Sequence, residues 1–292
     1  MLKKDLLLAI LVAAIWGANY SVIEMGLASL DPFLLTALRF TLCALPMCFF
    51  IKKPEIKIKY VALYGVIFGV GLWGIANLAM FVGLPAGIAS LLLQFSAFFT
   101  IILSIIFFQE KIKTIQYIGM ILAILGLVFI VYQSHGEFPL QGVALIIIAA
   151  FSWSICNIIV KKHKPTQMMS FIIWSSIFSA LPLFIITYII KGSAPFLNLG
   201  NSLTIKAIFS LCFQAYVTTL FGYWVWNMLM KKYTASSVAP ISLLIPIFGL
   251  ITSHFMFNEI INLDKIISAT LIIIGIMILI YGAKFVTARP LS

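Results

Sequence analysis

Gly87-Ile88-Ala89-Ser90-Leu91-Leu92-Leu93, continuing through an apolar stretch to Phe107-Phe108-Gln109-Glu110 and then Leu125-Gly126, returns 149 positions later in the same chain. Its second form is Ser236-Ser237-Val238-Ala239-Pro240-Ile241-Ser242, followed by Met256-Phe257-Asn258-Glu259 and Ile274-Gly275. The front ends agree at a slightly shorter offset: Ala13-Ala14-Ile15-Trp16 with Asn19 is echoed by Ala149-Ala150-Phe151 with Trp153 and Asn157. Two copies of an apolar unit, with polar residues at matching depths, is how many secondary transporters are built.

Around this repeat the chain is 63% hydrophobic and only 9% charged, with a mean hydropathy of +1.16. A soluble domain could not bury that much apolar surface, so the expected environment is a bilayer. Apolar runs long enough to cross a core of about 30 Å are read at 5–27, 32–51, 60–83, 85–107, 115–132, 141–160, 168–189, 205–230, 234–257 and 266–284. The runs are continuous rather than alternating every second residue, which favours helices over a barrel.

The net charge of +11 is an orientation code rather than a nucleic-acid surface. With the N-terminus inside, ten spans place fifteen of the nineteen Lys and Arg residues in the cytoplasm and three outside, Lys191, Lys206 and Lys265, leaving Arg39 within the membrane. The positive-inside rule therefore predicts an all-α membrane protein with ten transmembrane helices and both termini cytoplasmic. Each half holds five spans, an odd number, so the halves are expected to be inverted repeats with the substrate site near mid-membrane between them. The repeats are read at 1–132 and 141–284, with a cytoplasmic tail at 285–292, and Glu110 and Glu259 should end helices on opposite sides.

Lys3 and Lys4 before an apolar run resemble a signal peptide, but the run is too long, lacks a small-residue cleavage site and belongs to the repeat, so retention is expected. No Gly-rich phosphate loop is followed by Lys-Ser or Lys-Thr, which argues against direct ATP drive. No cofactor, metal or nucleic-acid partner is expected, and the predicted state is a monomer in the cytoplasmic membrane. Cys43, Cys48, Cys156 and Cys212 fall within predicted spans without paired spacing and read as packing residues. His254 has no second ligand at metal spacing and reads as an interfacial histidine.

Arg39 needs a reason, because an Arg at the helix centre costs about 2.5 to 3.5 kcal/mol on insertion scales. It either binds a substrate carboxylate through its guanidinium fork, pairs with Glu24 near the outer end of the first helix, or snorkels to the headgroups. No Asp or Glu falls at mid-span, so proton-coupled extrusion of lipophilic cations has no visible carboxylate. The middle instead carries amides and aromatics: Trp16, Asn19 and Tyr20, Asn77, Gln94 and Phe98, Trp153 and Asn157, and Tyr223, Trp224, Trp226 and Asn227. Neutral amides donate and accept at once, and with aromatic walls they suit a small polar solute such as an amino acid. Interhelical glue and ordinary packing are the competing explanation for any one of them. Pro240 and Pro246 break the ladder of the ninth helix, so a kink and a hinge are expected there. Pro46 and Pro182 sit at similar depths in the second and seventh spans, while Gly65, Gly69, Gly71, Gly74, Gly119 and Gly126 favour close helix approach.

Trp16-Gly17-Ala18-Asn19-Tyr20, Leu38-Arg39-Phe40, Pro85 to Leu91, Gln94 with Ala97-Phe98-Phe99-Thr100, Ala150-Phe151-Ser152-Trp153 with Asn157, and Val238 to Pro246 resemble the EamA family of the drug/metabolite transporter superfamily. The likeness covers nearly the whole chain. Within the family it is most similar to the bacterial branch that exports O-acetylserine and cysteine, departing from it at Glu24 and Asn77. The resemblance implies an inner-membrane exporter of small metabolites working by alternating access, without ATPase activity. Trp16, Asn19, Arg39, Asn77, Gln94, Phe98, Trp153, Asn157 and Tyr223 are the expected substrate-binding residues, with Pro240 and Pro246 as hinges. Multidrug or lipophilic-cation efflux, export of another amino-acid class, and an intramembrane enzyme acting on lipid-linked substrates are the alternatives.

Overall fold

The computed structural model describes residues 1–110, 112–133, 139–257 and 262–287. Glu259, Lys111 and Arg289 lie outside them. Among the described residues the regular structure is entirely helical. The helices are α1 (Lys3–Leu27), α2 (Pro32–Ala44), α3 (Ile58–Phe81), α4 (Ala86–Phe108), α5 (Thr114–Gln133), α6 (Leu140–His163), α7 (Met168–Lys191), α8 (Ile205–Lys232), α9 (235–257) and α10 (Leu263–Thr287). Among the described residues, eight helical stretches are long and apolar enough to cross a membrane. α5 and α10 contain shorter apolar stretches, Thr114–Gly126 and Ile266–Leu279.

Local chemistry sets the boundaries. Asp31 caps α2, its carboxylate accepting from Phe33 N at 2.9 Å and Leu34 N at 3.1 Å, with Pro32 in the first turn where its missing N–H costs nothing. The second span was expected to run to residue 51, but the α-helix stops at Ala44 because Pro46 cannot donate to the ladder. A 3-10 turn, Met47–Phe49, follows. Pro182, by contrast, sits inside an unbroken α7, so the two prolines play different parts. Between the spans read at 168–189 and 205–230 the chain forms two short helical turns, Ala194–Leu197 and Leu199–Ser202. α10 continues to Thr287, beyond the boundary at 284 expected from hydropathy.

Four helices depart from regular α geometry, in two matching pairs. α3 is π-helical over Ile67–Gly74 and α8 over Phe213–Tyr223. Positions 149 after Ile67–Gly74 are 216–223, inside the second π stretch. α4 opens at Leu93 and Gln94, between Ala86–Leu92 and Phe95–Phe108. The positions 149 later, Ser242 and Leu243, fall in the 3-10 stretch Ala239–Leu244 that interrupts α9 between Val238 and Ile245. The kink expected from Pro240 and Pro246 is thus a tightened turn, with Pro246 at the start of the regular helix that follows it.

Small residues let these helices touch. A Cβ on Gly65 would collide with the Ser175 carbonyl, and one on Gly69 would lie 2.5 Å from Ser179 Cβ, so α3 and α7 pack backbone to backbone. Ser179 seals that contact by donating to Gly65 O at 2.7 Å. α5 and α10 run antiparallel, with Gly119 against Gly275, Gly126 against Ser268, and Gln116 donating to Leu279 O at 3.0 Å.

Charged groups knit one end of the bundle. Asp5, at the start of α1, accepts from Lys232 at 2.7 Å and from the Tyr233 hydroxyl at 2.5 Å, both at the end of α8. Lys161, at the end of α6, pairs with Glu110 beyond α4 at 3.0 Å and donates to Tyr233 O at 2.9 Å. The start of α1 and the end of α6 therefore share this end.

Candidate functional site

The centre of the bundle is filled by aromatic rings drawn from distant segments. Trp16 meets Tyr223 with ring centroids 4.5 Å apart, Trp226 at 5.2 Å and Trp153 at 5.3 Å. Phe68 closes on Tyr223 at 4.5 Å, and Tyr64 continues the column to Phe171. Trp16 and Trp153, expected to be repeat-related, are brought into edge-to-face contact, a geometry favoured by the ring quadrupoles. Trp16, Trp153 and Tyr223, expected to wall a cavity, are here packed on one another and buried.

The polar groups around this column are held mainly by α8, through side chains the sequence reading did not single out. In its π stretch the Thr218 carbonyl accepts from Trp16 Nε1 at 3.2 Å, and the Thr218 hydroxyl donates to Asn19 Oδ1 at 2.9 Å. The Ala215 carbonyl accepts from the Cys43 thiol at 3.3 Å. Thr219 Oγ1 accepts from Arg39 Nε at 2.8 Å, and Gln214 Oε1 accepts from Arg39 Nη1 at 3.4 Å. The signal was present in the sequence: Gln214, Thr218 and Thr219 are spaced four and five apart in an otherwise apolar run, the interval that a π-helix brings onto one face.

Arg39 is fully buried. Its guanidinium carbon lies 4.2 Å from the centroid of the Trp73 ring, and Trp73 Nε1 donates to the Tyr223 hydroxyl at 2.9 Å. No carboxylate is among its contacts in the described residues, and Glu24 lies on the exposed surface. The Arg39–Glu24 pair is therefore not formed, and Arg39 does not snorkel to the headgroups. Hydrogen bonds from a charged donor, about 1.5 to 3 kcal/mol each, and a desolvated cation–π contact of about 2 kcal/mol are of the size needed to offset its insertion cost.

The other expected site residues divide into three groups. Asn157 is satisfied, donating to Thr100 Oγ1 at 3.0 Å and accepting from Trp226 Nε1 at 3.2 Å. Asn77 and Gln94 are half satisfied, through Thr36 Oγ1 at 2.9 Å and Ser90 O at 2.8 Å. Phe98 stands apart, in a second apolar cluster with Ile101, Met120, Leu243 and Ile272.

Ten buried side-chain polar atoms among the described residues lack a hydrogen-bond partner. Five belong to expected site residues: Asn19 Nδ2, Arg39 Nη2, Asn77 Oδ1, Gln94 Oε1 and Trp153 Nε1. Each comes from a different helix, α1, α2, α3, α4 and α6. The other five are four serine hydroxyls and the second oxygen of Glu110. The group offers three donors, two acceptors and one positive charge among aromatic faces. Donors, acceptors and a charge of this kind are the groups with which a small polar molecule can be hydrogen-bonded. Among the described residues no three His, Cys, Asp or Glu side chains gather as metal ligands.

Comparison with known proteins agrees with this architecture. A probable amino-acid metabolite efflux pump of Escherichia coli K12 is 35% identical over 291 residues, 98% of this chain and 97% of that protein. A probable amino-acid metabolite efflux pump of Salmonella typhimurium LT2 is 35% identical over 97% of each chain. An uncharacterized transporter of Archaeoglobus fulgidus is 27% identical over 96% of this chain and 99% of its own. One solved crystal structure, 14% identical, superposes with a TM-score of 0.70 over 99% of this chain and 100% of that one, a likeness of fold alone. With its long apolar helices, the chain is a multi-pass protein of the inner membrane. A sequence profile for EamA-like transporters matches residues 3–132 and again 140–281, so the chain belongs to the EamA-like transporter family.

Proposed function

We propose that the protein is a secondary transporter that exports small amino acids or close derivatives, cysteine and O-acetylserine foremost, across the cytoplasmic membrane. Two five-helix repeats of opposite orientation, 1–132 and 141–284, enclose the site in this reading, with ten spans and both termini cytoplasmic. The double match of the family profile supports the duplication. The meeting of the start of α1 with the end of α6 at one end of the bundle supports the inversion. Lys52, Lys161, Lys231 and Lys232 gather at that same end, through contacts with Ser170, Glu110, Pro165 and Asp5, which fits a cytoplasmic face.

The observation that carries the reading is the set of five buried polar atoms, one on each of five helices, that lack a hydrogen-bond partner. A membrane interior leaves such groups unpaired at a cost of several kcal/mol each, and a solute with a carboxylate and an ammonium group would satisfy both donors and acceptors. Arg39 anchors the carboxylate, Asn77 and Gln94 accept from the ammonium, and the aromatic rings pack the remainder. The ring-filled centre is then one station of an alternating-access cycle, in which the broken helices α4 and α9 flex at Leu93–Gln94 and at Pro240 and Pro246. The printed names of the two bacterial relatives point to the same solute class.

The test is counterflow in proteoliposomes. Preloaded cysteine and O-acetylserine should exchange with external label faster than in protein-free vesicles, and Arg39→Gln should abolish the difference. Equal exchange with and without protein across an amino-acid panel would remove the proposal.

A further inference from the structure

We infer that Gln214 sets the charge of the solute accepted at Arg39, reserving that guanidinium for a carboxylate. The inference rests on the reading that Arg39 lies on the transport route, and it narrows the substrate to molecules with a free carboxylate, excluding their esters, amides and decarboxylated amines.

The chain of hydrogen bonds around Arg39 has its direction fixed by groups that can only accept. Ser210 donates to the Val22 carbonyl at 2.6 Å, so its oxygen must accept from Gln214 Nε2, which lies 2.8 Å away. The amide of Gln214 is thereby turned with Oε1 towards Arg39 Nη1. Thr219 is fixed in the same way, donating to the Gln214 carbonyl at 2.7 Å and leaving a lone pair for Arg39 Nε. Both side chains that accept from the guanidinium are neutral. Its charge therefore meets dipoles and the faces of Trp73 and Phe40, and Nη2 is left without a partner although fully buried.

A buried cation held by dipoles alone attracts an anion strongly, because the low-dielectric surroundings weaken an unscreened charge very little. A carboxylate arriving at Nη2 would complete the shell and supply the missing countercharge. Glu differs from Gln at position 214 by one atom and fits the same space. It would give Arg39 a resident countercharge and make a second carboxylate redundant.

The experiment uses the full-length protein in proteoliposomes, with labelled cysteine as solute and cysteamine, its decarboxylated counterpart, as competitor. In the wild-type protein cysteamine should compete at least about tenfold less well than unlabelled cysteine, because a site built around a polar group rejects an analogue that lacks it. Gln214→Glu should raise KM for cysteine about tenfold or more with little change in Vmax, and at least about threefold more than Gln214→Met, which removes the acceptor from Arg39 Nη1 without supplying a countercharge. Thr219→Asp places a carboxylate at Arg39 Nε and should act like Gln214→Glu, which covers the case where one variant fails to fold. A second readout is independent of transport. Propionate should raise the Tm of the detergent-solubilised wild-type protein and leave that of Gln214→Glu unchanged. The inference is overturned if Gln214→Glu retains the wild-type KM or the propionate effect, or if Gln214→Met loses affinity as severely as Gln214→Glu. Absence of saturable cysteine movement in the wild-type protein, with the propionate difference intact, would instead count against the exporter reading alone.

Discussion

Glu110→Gln should open the end of the bundle that Lys161 now closes. Glu110 Oε1 accepts from Lys161 Nζ at 3.0 Å and from Ala235 N at 3.4 Å, joining the ends of α4 and α6 to the start of α9. The two side chains are 13% and 12% exposed, so the pair lies between an exposed one, about 0.2 to 1 kcal/mol, and a fully buried one, where loss of a partner costs about 3 to 5 kcal/mol. Lys161 keeps its bond to Tyr233 O in the variant, which holds the expected loss to about 1 to 2 kcal/mol. If the pair exists only in the conformation closed at this end, that loss raises the open population by about 5- to 30-fold. Cys156 reports the opening: it is buried, five residues before Lys161 on α6, about 7.5 Å along the helix. With Cys43, Cys48 and Cys212 replaced, the rate of Cys156 labelling by an impermeant maleimide in inside-out vesicles should rise by that factor. An unchanged rate in a folded Glu110→Gln protein would show that the pair does not distinguish the conformations, and the reasoning would fail.

Trp153→Phe keeps the ring at the Trp16 contact but removes the unpartnered Nε1, so Tm in detergent should change little while KM for cysteine, the proposed solute, rises. Thr218→Val leaves neither amide atom of Asn19 bonded and should cost about 0.6 to 1.7 kcal/mol, seen as a lower Tm that Thr218→Ser restores. Gly65→Val drives a side chain into the Ser175 carbonyl and should destabilise by at least about 1 to 3 kcal/mol, read as lost monodisperse protein on size-exclusion chromatography.

Much of this architecture was legible because membranes impose simple rules. Continuous apolar runs gave the positions of the helices, and the sparse polar residues within them named most of the groups now found buried at the centre. Trp16 and Trp153 were chosen for their matched places in the two halves, and they meet. What could not be seen was how α-helical geometry fails locally. The π stretches of α3 and α8 carry no proline, and the break in α4 at Leu93–Gln94 carries none either, so hydropathy reads all three as regular. For the same reason Gln214, Thr218 and Thr219 went unnoticed, since their shared face exists only when the turn is widened. Of the three readings of Arg39, the pair with Glu24 and snorkelling are replaced by contacts with two neutral side chains and an indole. Phe98, read at the depth of the polar set, packs in the second apolar cluster with Ile101, Met120, Leu243 and Ile272.

The widened turn in α8 makes the residue count of that helix as meaningful as its composition. Each residue of an α-helix turns the chain by about 100° and each residue of the wider π turn by somewhat less, so deleting a single position between Phe213 and Thr218 would swing everything downstream through about a quarter circle. Tyr223 and Trp226 would leave the column, and Asn227 would lose the Tyr64 hydroxyl it now reaches at 3.2 Å. The stretch behaves as a phase setting on a screw thread: a lost or added codon there should silence the protein as thoroughly as truncation.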